Sequence, residues 1–212
     1  MKKRILCFGD SNTYGTNPAG GRHDENTRWP MRLEQLLGEG YTVIEEGFGG
    51  RTCAFDDPVE GGLKSGANYL PPCLMSHNPL DLVIIMLGTN DAKIRFQMTA
   101  RTIAEAQMQL VRLCRIYGAG PDGNPPKVLL VAPPPIGENV MDTLFADIFG
   151  RHALAVSKGF AAETQRISRL MRCEFLNAGE YVSASRIDAV HLTADMHLRL
   201  AEALAEKVRA VL

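Results

Sequence analysis

Short apolar runs closed by glycine or proline recur along the chain and predict buried β-strands. The runs are rich in Val, Ile and Leu and do not alternate with polar residues, which is typical of strands covered on both faces of a sheet. A weaker run at 173–176 has fewer apolar residues and suits an edge position. The four clear runs are 4–8, 41–45, 81–87 and 127–132.

Helical patterns lie between these runs. The clearest spans Thr193 to Leu212, where apolar residues recur every four positions and Thr193 is a suitable N-cap. Further helices are predicted over 29–37, 99–117 and about 146–172. Strands that alternate with helices predict a parallel sheet covered on both sides, here in one domain spanning residues 1–212.

Two segments rich in Gly, Pro, Asn and Asp, 15–28 and 53–72, are predicted as loops. Both follow the ends of predicted strands. Ligands bind in open parallel sheets at that edge. These segments are therefore expected to wall a pocket.

Composition and charge narrow the function classes. The 23 Lys and Arg residues are matched by 24 Asp and Glu, so no excess positive charge favours a nucleic acid or an anionic membrane as partner. A small-molecule substrate is expected instead. No stretch approaches the roughly 18 apolar residues of a membrane span, and the apolar run after the basic N-terminus is short, which favours a cytoplasmic location.

The five cysteines lie at positions 7, 53, 73, 114 and 173 and form no C-x-x-C pair. They are predicted to be buried apolar residues that bind no metal. A homo-oligomer is compatible with the sequence, which contains nothing that decides the oligomeric state.

Ser11 follows the first predicted strand and stands between Gly9 and Gly15, which permit a tight turn. A serine in such a turn can expose its hydroxyl. The same residue could instead cap a helix, or the 9–15 segment could bind a phosphate. The phosphate hypothesis is weakened because neither G-x-G-x-x-G nor G-x-x-x-x-G-K-[ST] is present.

A nucleophilic serine needs a base, and His191 is the best placed of the five histidines. It precedes the last predicted helix, and Asp188 lies three residues upstream, where a carboxylate can fix the imidazole tautomer. An isolated D-x-x-H is common by chance. Of the others, His23 and His77 lie in predicted loops, His152 begins a helix, and His197 is expected to be solvated on the last helix.

Two further strand ends could supply donors for an oxyanion. Segment 47–52 contains Gly49 and Gly50, and segment 88–91 contains Asn90. Glycine lets a backbone N–H approach a substrate, and Asn offers a neutral amide. Each segment alone could be an ordinary turn, yet together the four segments supply nucleophile, base, acid and donors.

Gly-Asp-Ser at 9–11, Gly50, Asn90 and Asp188-x-x-His191 resemble the four sequence blocks of the SGNH/GDSL hydrolases. Segments 3–11, 43–47, 65–71 and 80–91 further resemble the bacterial arylesterase and acyltransferase branch, which includes perhydrolytic enzymes. The resemblance implies a flavodoxin-like three-layer α/β/α sandwich with a five-stranded parallel sheet. It also implies a serine esterase that needs no cofactor and cleaves short-chain acyl esters through an acyl-enzyme, with some acyl transfer.

The resemblance implies a role for each residue. Ser11 would be the nucleophile, His191 the general base and then acid, and Asp188 its orienting partner. The N–H groups of Ser11 and Gly50 and the Asn90 amide would form the oxyanion hole, with Gly49 as the alternative to Gly50. Tyr14 stands where that branch often has Trp and would line the substrate pocket.

Alternatives remain open at this point. A carbohydrate acetylesterase or a lysophospholipase would use the same scaffold. A non-catalytic α/β module that binds a small ligand is a second class. A metal hydrolase is disfavoured because H-E-x-x-H is absent and His191 and His197, six residues apart, would lie on different helix faces.

Overall fold

The computed structural model describes residues 2–212. Five parallel strands form one sheet in the order β2-β1-β3-β4-β5, which is the flavodoxin order. All five predicted strands are confirmed, and the weak fifth lies at an edge as expected. The strands are β1 Lys3–Gly9, β2 Tyr41–Gly47, β3 Leu82–Met86, β4 Lys127–Ala132 and β5 Glu174–Asn177.

Helices cover both faces of the sheet. They are α1 Ser11–Tyr14, α2 Trp29–Leu37, α3 Gly66–His77, α4 Ala100–Tyr117, α5 Ala146–Ser157, α6 Phe160–Met171 and α7 Ala194–Val211. Buried residues of α2 and α7 pack on one face, and those of α3 to α6 pack on the other. The three-layer α/β/α architecture is therefore confirmed.

Successive residues of β1 serve opposite cores, which explains the uninterrupted apolar runs. Ile5 and Cys7 pack toward α2 and α7, whereas Leu6 and Phe8 pack toward α3 and α4. All four side chains are fully buried. Because each face has a helical layer, neither set of positions tolerates polar residues.

The predicted 53–72 loop is wrong in its second half, where α3 begins at Gly66. Pro71 and Pro72 lie inside this helix and hid it from a pattern-based prediction, since proline cannot donate the helical hydrogen bond. The Ser65 side chain caps the helix by accepting from Asn68 N–H, and buried Leu70 and Leu74 hold it against the core.

The single helix predicted over 146–172 is two helices, α5 and α6, separated at 158–159. A further kink lies within α5 at Gly150, which has a positive φ of 57°. A Cβ atom there would lie 2.6 Å from Ile94 Cδ1, so glycine fits this close approach. The last helix is confirmed, although the Thr193 side chain bonds to Asp195 rather than capping α7.

Candidate active site

Ser11 lies in the sharp turn from β1 into α1, at the carboxyl edge of the sheet. The Asp10 side chain accepts from Asn12 N–H at 3.0 Å, so the capping role considered for Ser11 belongs to Asp10. The turn needs glycine at position 9, because a Cβ there would lie 2.0 Å from Thr13 Oγ1. The Ser11 side chain faces the other residues of the site.

His191 and Asp188 meet Ser11 in one chain of hydrogen bonds. His191 Nε2 lies 3.0 Å from Ser11 Oγ, and His191 Nδ1 lies 2.6 Å from Asp188 Oδ2. Burial raises the pKa of Asp188, but bonds from the His191 ring and from two backbone N–H groups outweigh it and lower the pKa to about 2. The carboxylate is therefore ionised at neutral pH and aimed at the imidazole.

The loop that carries His191 is fixed by its own carboxylate. Asp188 Oδ1 accepts from the Ser185 hydroxyl at 2.9 Å and from the N–H groups of Val190 and His191 at 3.0 and 2.9 Å. Oδ2 is thereby left for the ring of His191. One carboxylate both folds the loop and orients the base.

Asn12 joins this loop to the Ser11 turn, a role that no sequence pattern indicated. Its Nδ2 donates to Val190 O at 3.2 Å, and its Oδ1 accepts from Leu192 N–H at 3.0 Å. Both bonds are buried. The residue after Ser11 thus holds the backbone on either side of His191 at a fixed distance from the hydroxyl.

Gly50 and Asn90, the oxyanion donors predicted from the sequence, lie at the same cavity as Ser11. Ser11, Gly49, Gly50, Asn90 and His191 line one cavity of about 210 Å³. Gly50 has a φ of +79°, a backbone conformation that favours glycine, whereas Gly49 does not. Asn90 Nδ2 donates to Arg51 O at 3.1 Å, which orients its amide and leaves a second N–H.

Arg51 ties three strand ends together. Its Nη1 donates to Gly9 O at 2.9 Å and to Glu46 O at 2.5 Å, and its own carbonyl accepts from Asn90. The guanidinium is buried, with its Cζ 4.3 Å from the centroid of the Phe8 ring. Arg51 therefore links the ends of β1 and β2 to Asn90, one of the predicted oxyanion donors.

Apolar and charged walls complete the cavity. Phe145, Ile148 and Phe149 form one wall, and the Phe145 ring lies edge-on to His191 with centroids 5.7 Å apart. Glu60 and Lys93 also line the cavity, with Lys93 Nζ 2.6 Å from Glu60 Oε1. None of these residues was identified from sequence, because the 135–150 segment carries no motif and ion pairs leave no local pattern.

The segments expected to wall the pocket contribute little. Thr16 from 15–28 and Glu60 from 53–72 line the cavity. Tyr14 does not line it. The Tyr14 ring lies under the Arg22 guanidinium, whose Cζ is 4.0 Å from the ring centroid.

The other histidines have partners of their own. His197 is fully buried, so the expectation that it is solvated was wrong. Burial, with help from nearby cations, lowers the pKa of His197 to about 3, and its Nδ1 accepts from Trp29 N–H at 3.2 Å. His77 pairs with Glu46, and His152 contacts Met98 O. Within residues 2–212, His191 is the histidine that reaches Ser11.

Cys7, Cys53, Cys73 and Cys114 are buried as predicted, whereas Cys173 is partly exposed. Among residues 2–212, the one group of three potential metal ligands lies outside this cavity. Across the same residues, no helix combines the length and the apolar character that a membrane crossing requires.

Comparison with known proteins finds similarity to acylhydrolases and esterases. Residues 7–199 match the model of the GDSL-like lipase/acylhydrolase family, while no curated protein sequence matches. The chain is 40% identical to Est24, a carbohydrate acetylesterase from Sinorhizobium meliloti, with full coverage of both chains and a TM-score of 0.92.

Two further solved structures are similar. The native aryl esterase of M. smegmatis is 39% identical, with 99% of this chain and 100% of that chain covered and a TM-score of 0.92. A putative arylesterase from Agrobacterium tumefaciens str. C58 is 37% identical, with the same coverage and a TM-score of 0.90.

Proposed function

The chain belongs to the GDSL-like lipase/acylhydrolase family and is a carboxylic ester hydrolase, and we propose that it cleaves short-chain acyl esters with Ser11 as nucleophile. The observation that carries this proposal is the unbroken hydrogen-bond chain from Asp188 through His191 to Ser11. Family membership removes the alternative of a non-catalytic binding module. The residue roles below are part of the proposal.

In the first half-reaction, Ser11 Oγ attacks the ester carbonyl while His191 Nε2 takes its proton. Asp188 holds the Nδ1–H tautomer, so that Nε2 is free to accept, and stabilises the imidazolium that forms. The imidazolium then gives its proton to the leaving alcohol, and an acyl-enzyme remains. A water molecule, deprotonated by His191, releases the acid in the second half-reaction.

The tetrahedral intermediates carry an oxyanion that needs donors. We assign this role to the N–H groups of Ser11 and Gly50 and to the Asn90 side chain. Asn90 spends one N–H on Arg51 O and has the second available. Donors held in place before the reaction need no reorganisation as charge develops, which is the basis of their contribution to rate.

Cavity size and lining support a short acyl group. A volume of about 210 Å³ is small beside the 300–1,000 Å³ of typical ligand pockets. Phe145, Ile148 and Phe149 give the cavity an apolar side suited to an acetyl to butyryl chain. A lysophospholipase, whose fatty chain is far longer, receives less support. Transfer of the acyl group to alcohols would use the same acyl-enzyme.

A carbohydrate acetylesterase is the second candidate, and Glu60 is the observation that favours it. Its carboxylate lines the cavity and is held in place by Lys93 at 2.6 Å and Arg95 at 2.9 Å. A fixed carboxylate accepts hydrogen bonds from sugar hydroxyls. An aryl ester would gain nothing from that acceptor.

Fluorophosphonate labelling tests the assignment of Ser11 as nucleophile, and a substrate panel tests the proposed substrate class. One adduct is expected on Ser11, and Ser11→Ala should abolish both labelling and hydrolysis of p-nitrophenyl esters. Ser183→Ala, at an exposed serine, is the matched control and should behave as wild type. Labelling elsewhere, or a Ser11→Ala variant that keeps more than about a tenth of the activity, would refute the nucleophile assignment.

The substrate panel compares p-nitrophenyl esters of increasing chain length with acetylated sugars. Rates that fall beyond butyryl support the short-chain proposal. A preference for acetylated sugars that is lost in Glu60→Gln would favour the carbohydrate acetylesterase. Equal rates on long-chain esters would contradict the proposed acyl preference.

A further inference from the structure

A second cluster of reactive side chains lies outside the cavity, between the end of β2 and α3. It consists of Glu46, Cys73 and His77, whose ligand atoms all lie within 4.8 Å of one another. From this geometry we infer that the three side chains form a binding site for a soft divalent cation, with Zn²⁺ as the best match. The site takes no part in the ester chemistry.

Helix geometry brings two of the ligands together. Cys73 and His77 are four residues apart on α3, so both point from the same face, one turn above the other. Tyr69, one turn earlier, lies on that face as well. Glu46, next to the last residue of β2, stands opposite, with Oε1 3.0 Å from His77 Nε2 and Oε2 3.2 Å from the Tyr69 hydroxyl.

The donor set selects the class of ion. A thiolate, an imidazole and a carboxylate are the ligands of Zn²⁺ in proteins, whereas Mg²⁺ and Ca²⁺ take oxygen ligands almost alone. Tetrahedral Zn²⁺ with bonds of about 2.0–2.3 Å places its ligands roughly 3.5 Å apart. Donors within 4.8 Å reach that arrangement by small side-chain shifts, and water supplies the fourth ligand.

Exposure gives an ion access from one side. The His77 and Glu46 side chains are 29% and 20% exposed, while Cys73 is buried beneath them. Solvent therefore reaches the imidazole and the carboxylate, and the sulfur forms the floor of the site.

Burial and nearby charged groups both favour and oppose the binding of a cation at this site. Burial raises the pKa of Cys73 to about 12, with Glu46 adding to the rise and Arg51 opposing it. The thiol is protonated in the free protein, so an ion must displace that proton when it binds. Thiolate and carboxylate together balance Zn²⁺. The nearby Arg51 cation, 5.1 Å from the Tyr69 ring centroid, favours the thiolate but weakens the attraction for the ion.

An ion at this site would join the end of β2 to the C-terminal half of α3. The chain continues from Glu46 directly into the turn that holds Gly49 and Gly50. Zinc should therefore stabilise the folded protein and raise its thermal midpoint, because an ion that binds only the folded state stabilises it by mass action.

Titration of metal-free wild-type protein with Co²⁺ and Zn²⁺ tests the site. We expect one ion per chain, a thiolate-to-cobalt charge-transfer band in the near ultraviolet, and proton release on zinc binding. Cys73→Ser and His77→Gln should each weaken binding by more than about a hundredfold. Cys173→Ser and His152→Gln are the matched controls and should bind as wild type.

Several results would overturn the inference. One is a wild-type protein that shows no thiolate band and binds Zn²⁺ more weakly than about 1 mM. Another is binding that survives both Cys73→Ser and His77→Gln, or that disappears in His191→Gln, which would place the ion at the Ser11 site. If Cys73→Ser does not fold, the partly exposed His77→Gln and the wild-type cobalt spectrum decide the question.

Discussion

Replacing Asp188 by Asn tests the orientation of the base most directly, because the structure determines how the amide must sit. Three donors converge on Oδ1, from Ser185, Val190 and His191. The Asn oxygen must occupy that position, since an NH₂ group there would face donors only. The NH₂ group then points at His191 Nδ1 and forces it to accept. His191 consequently carries its proton on Nε2, where it cannot accept from Ser11.

The magnitude follows from the same contacts. A wrong tautomer with intact geometry should lower kcat by about 10³- to 10⁴-fold and leave KM nearly unchanged. The pKa of Asp188 falls from 3.8 to about 2 on folding, which corresponds to roughly 2 kcal/mol of stability at neutral pH. Because the folded pKa is depressed, this contribution is present above pH 4 and is lost as the pH falls toward 2.

Three measurements check this prediction: steady-state kinetics on a p-nitrophenyl ester, urea unfolding at pH 7 and pH 3, and nitrogen NMR of the His191 ring. Asp195→Asn, at the exposed start of α7, controls for the loss of one carboxylate near the loop. A kcat loss below about tenfold, or an imidazole that keeps its proton on Nδ1 in Asp188→Asn, would refute the reasoning.

Three further predictions follow from the site. Asn90→Ala should lower kcat by roughly a hundredfold or more with little change in KM, as measured by steady-state kinetics; a change confined to KM would indicate ground-state binding instead. Phe145→Ala should remove part of the apolar wall, enlarge the cavity and shift the preferred p-nitrophenyl ester to a longer chain, and an unchanged profile would place chain selection elsewhere. Burial raises the pKa of Asp91 to about 7, so between pH 4 and 7 this carboxyl ionises in the unfolded chain but stays protonated in the folded protein, and the wild-type unfolding free energy should fall over that range. Denaturant unfolding of Asp91→Asn should show a smaller loss over that range, and identical pH dependence would contradict a buried, raised carboxyl.

Local patterns were sufficient for the sheet and for the position of Ser11. The central strands β1, β3 and β4 are buried and could be read from their apolar runs, whereas β2 is a partly buried edge strand that was found from a shorter run around Val43. The residues that shape each segment are close to it in sequence: Gly9 permits the turn at Ser11, and Asp188 fixes the loop that carries His191. Their proximity to one another was inferred from the shared sheet edge, and the distances agree with it, while the catalytic roles stay predictions.

The structural features that were not predicted from the sequence depend on contacts between residues far apart in the chain. Helix α3 was hidden by Pro71 and Pro72, and its stability comes from burial against the sheet rather than from its own pattern. Phe145 reaches His191 only because the 140–149 segment folds back over the cavity. His197 was assigned to solvent because its helix is amphipathic, yet the side chain lies on the buried face, where Trp29 N–H meets it.

Because Asn12 binds the backbone on both sides of His191, the active site can form only after nearly the whole chain has been synthesised. Ser11 and His191 are 180 residues apart, and the Asn12 partners Val190 and Leu192 flank the histidine. During synthesis the serine emerges early, as an ordinary alcohol without a base. Chains that end before Asp188 lack both the base and its carboxylate, so they should be inert toward serine-directed probes, and such a probe would leave these truncated products unlabelled.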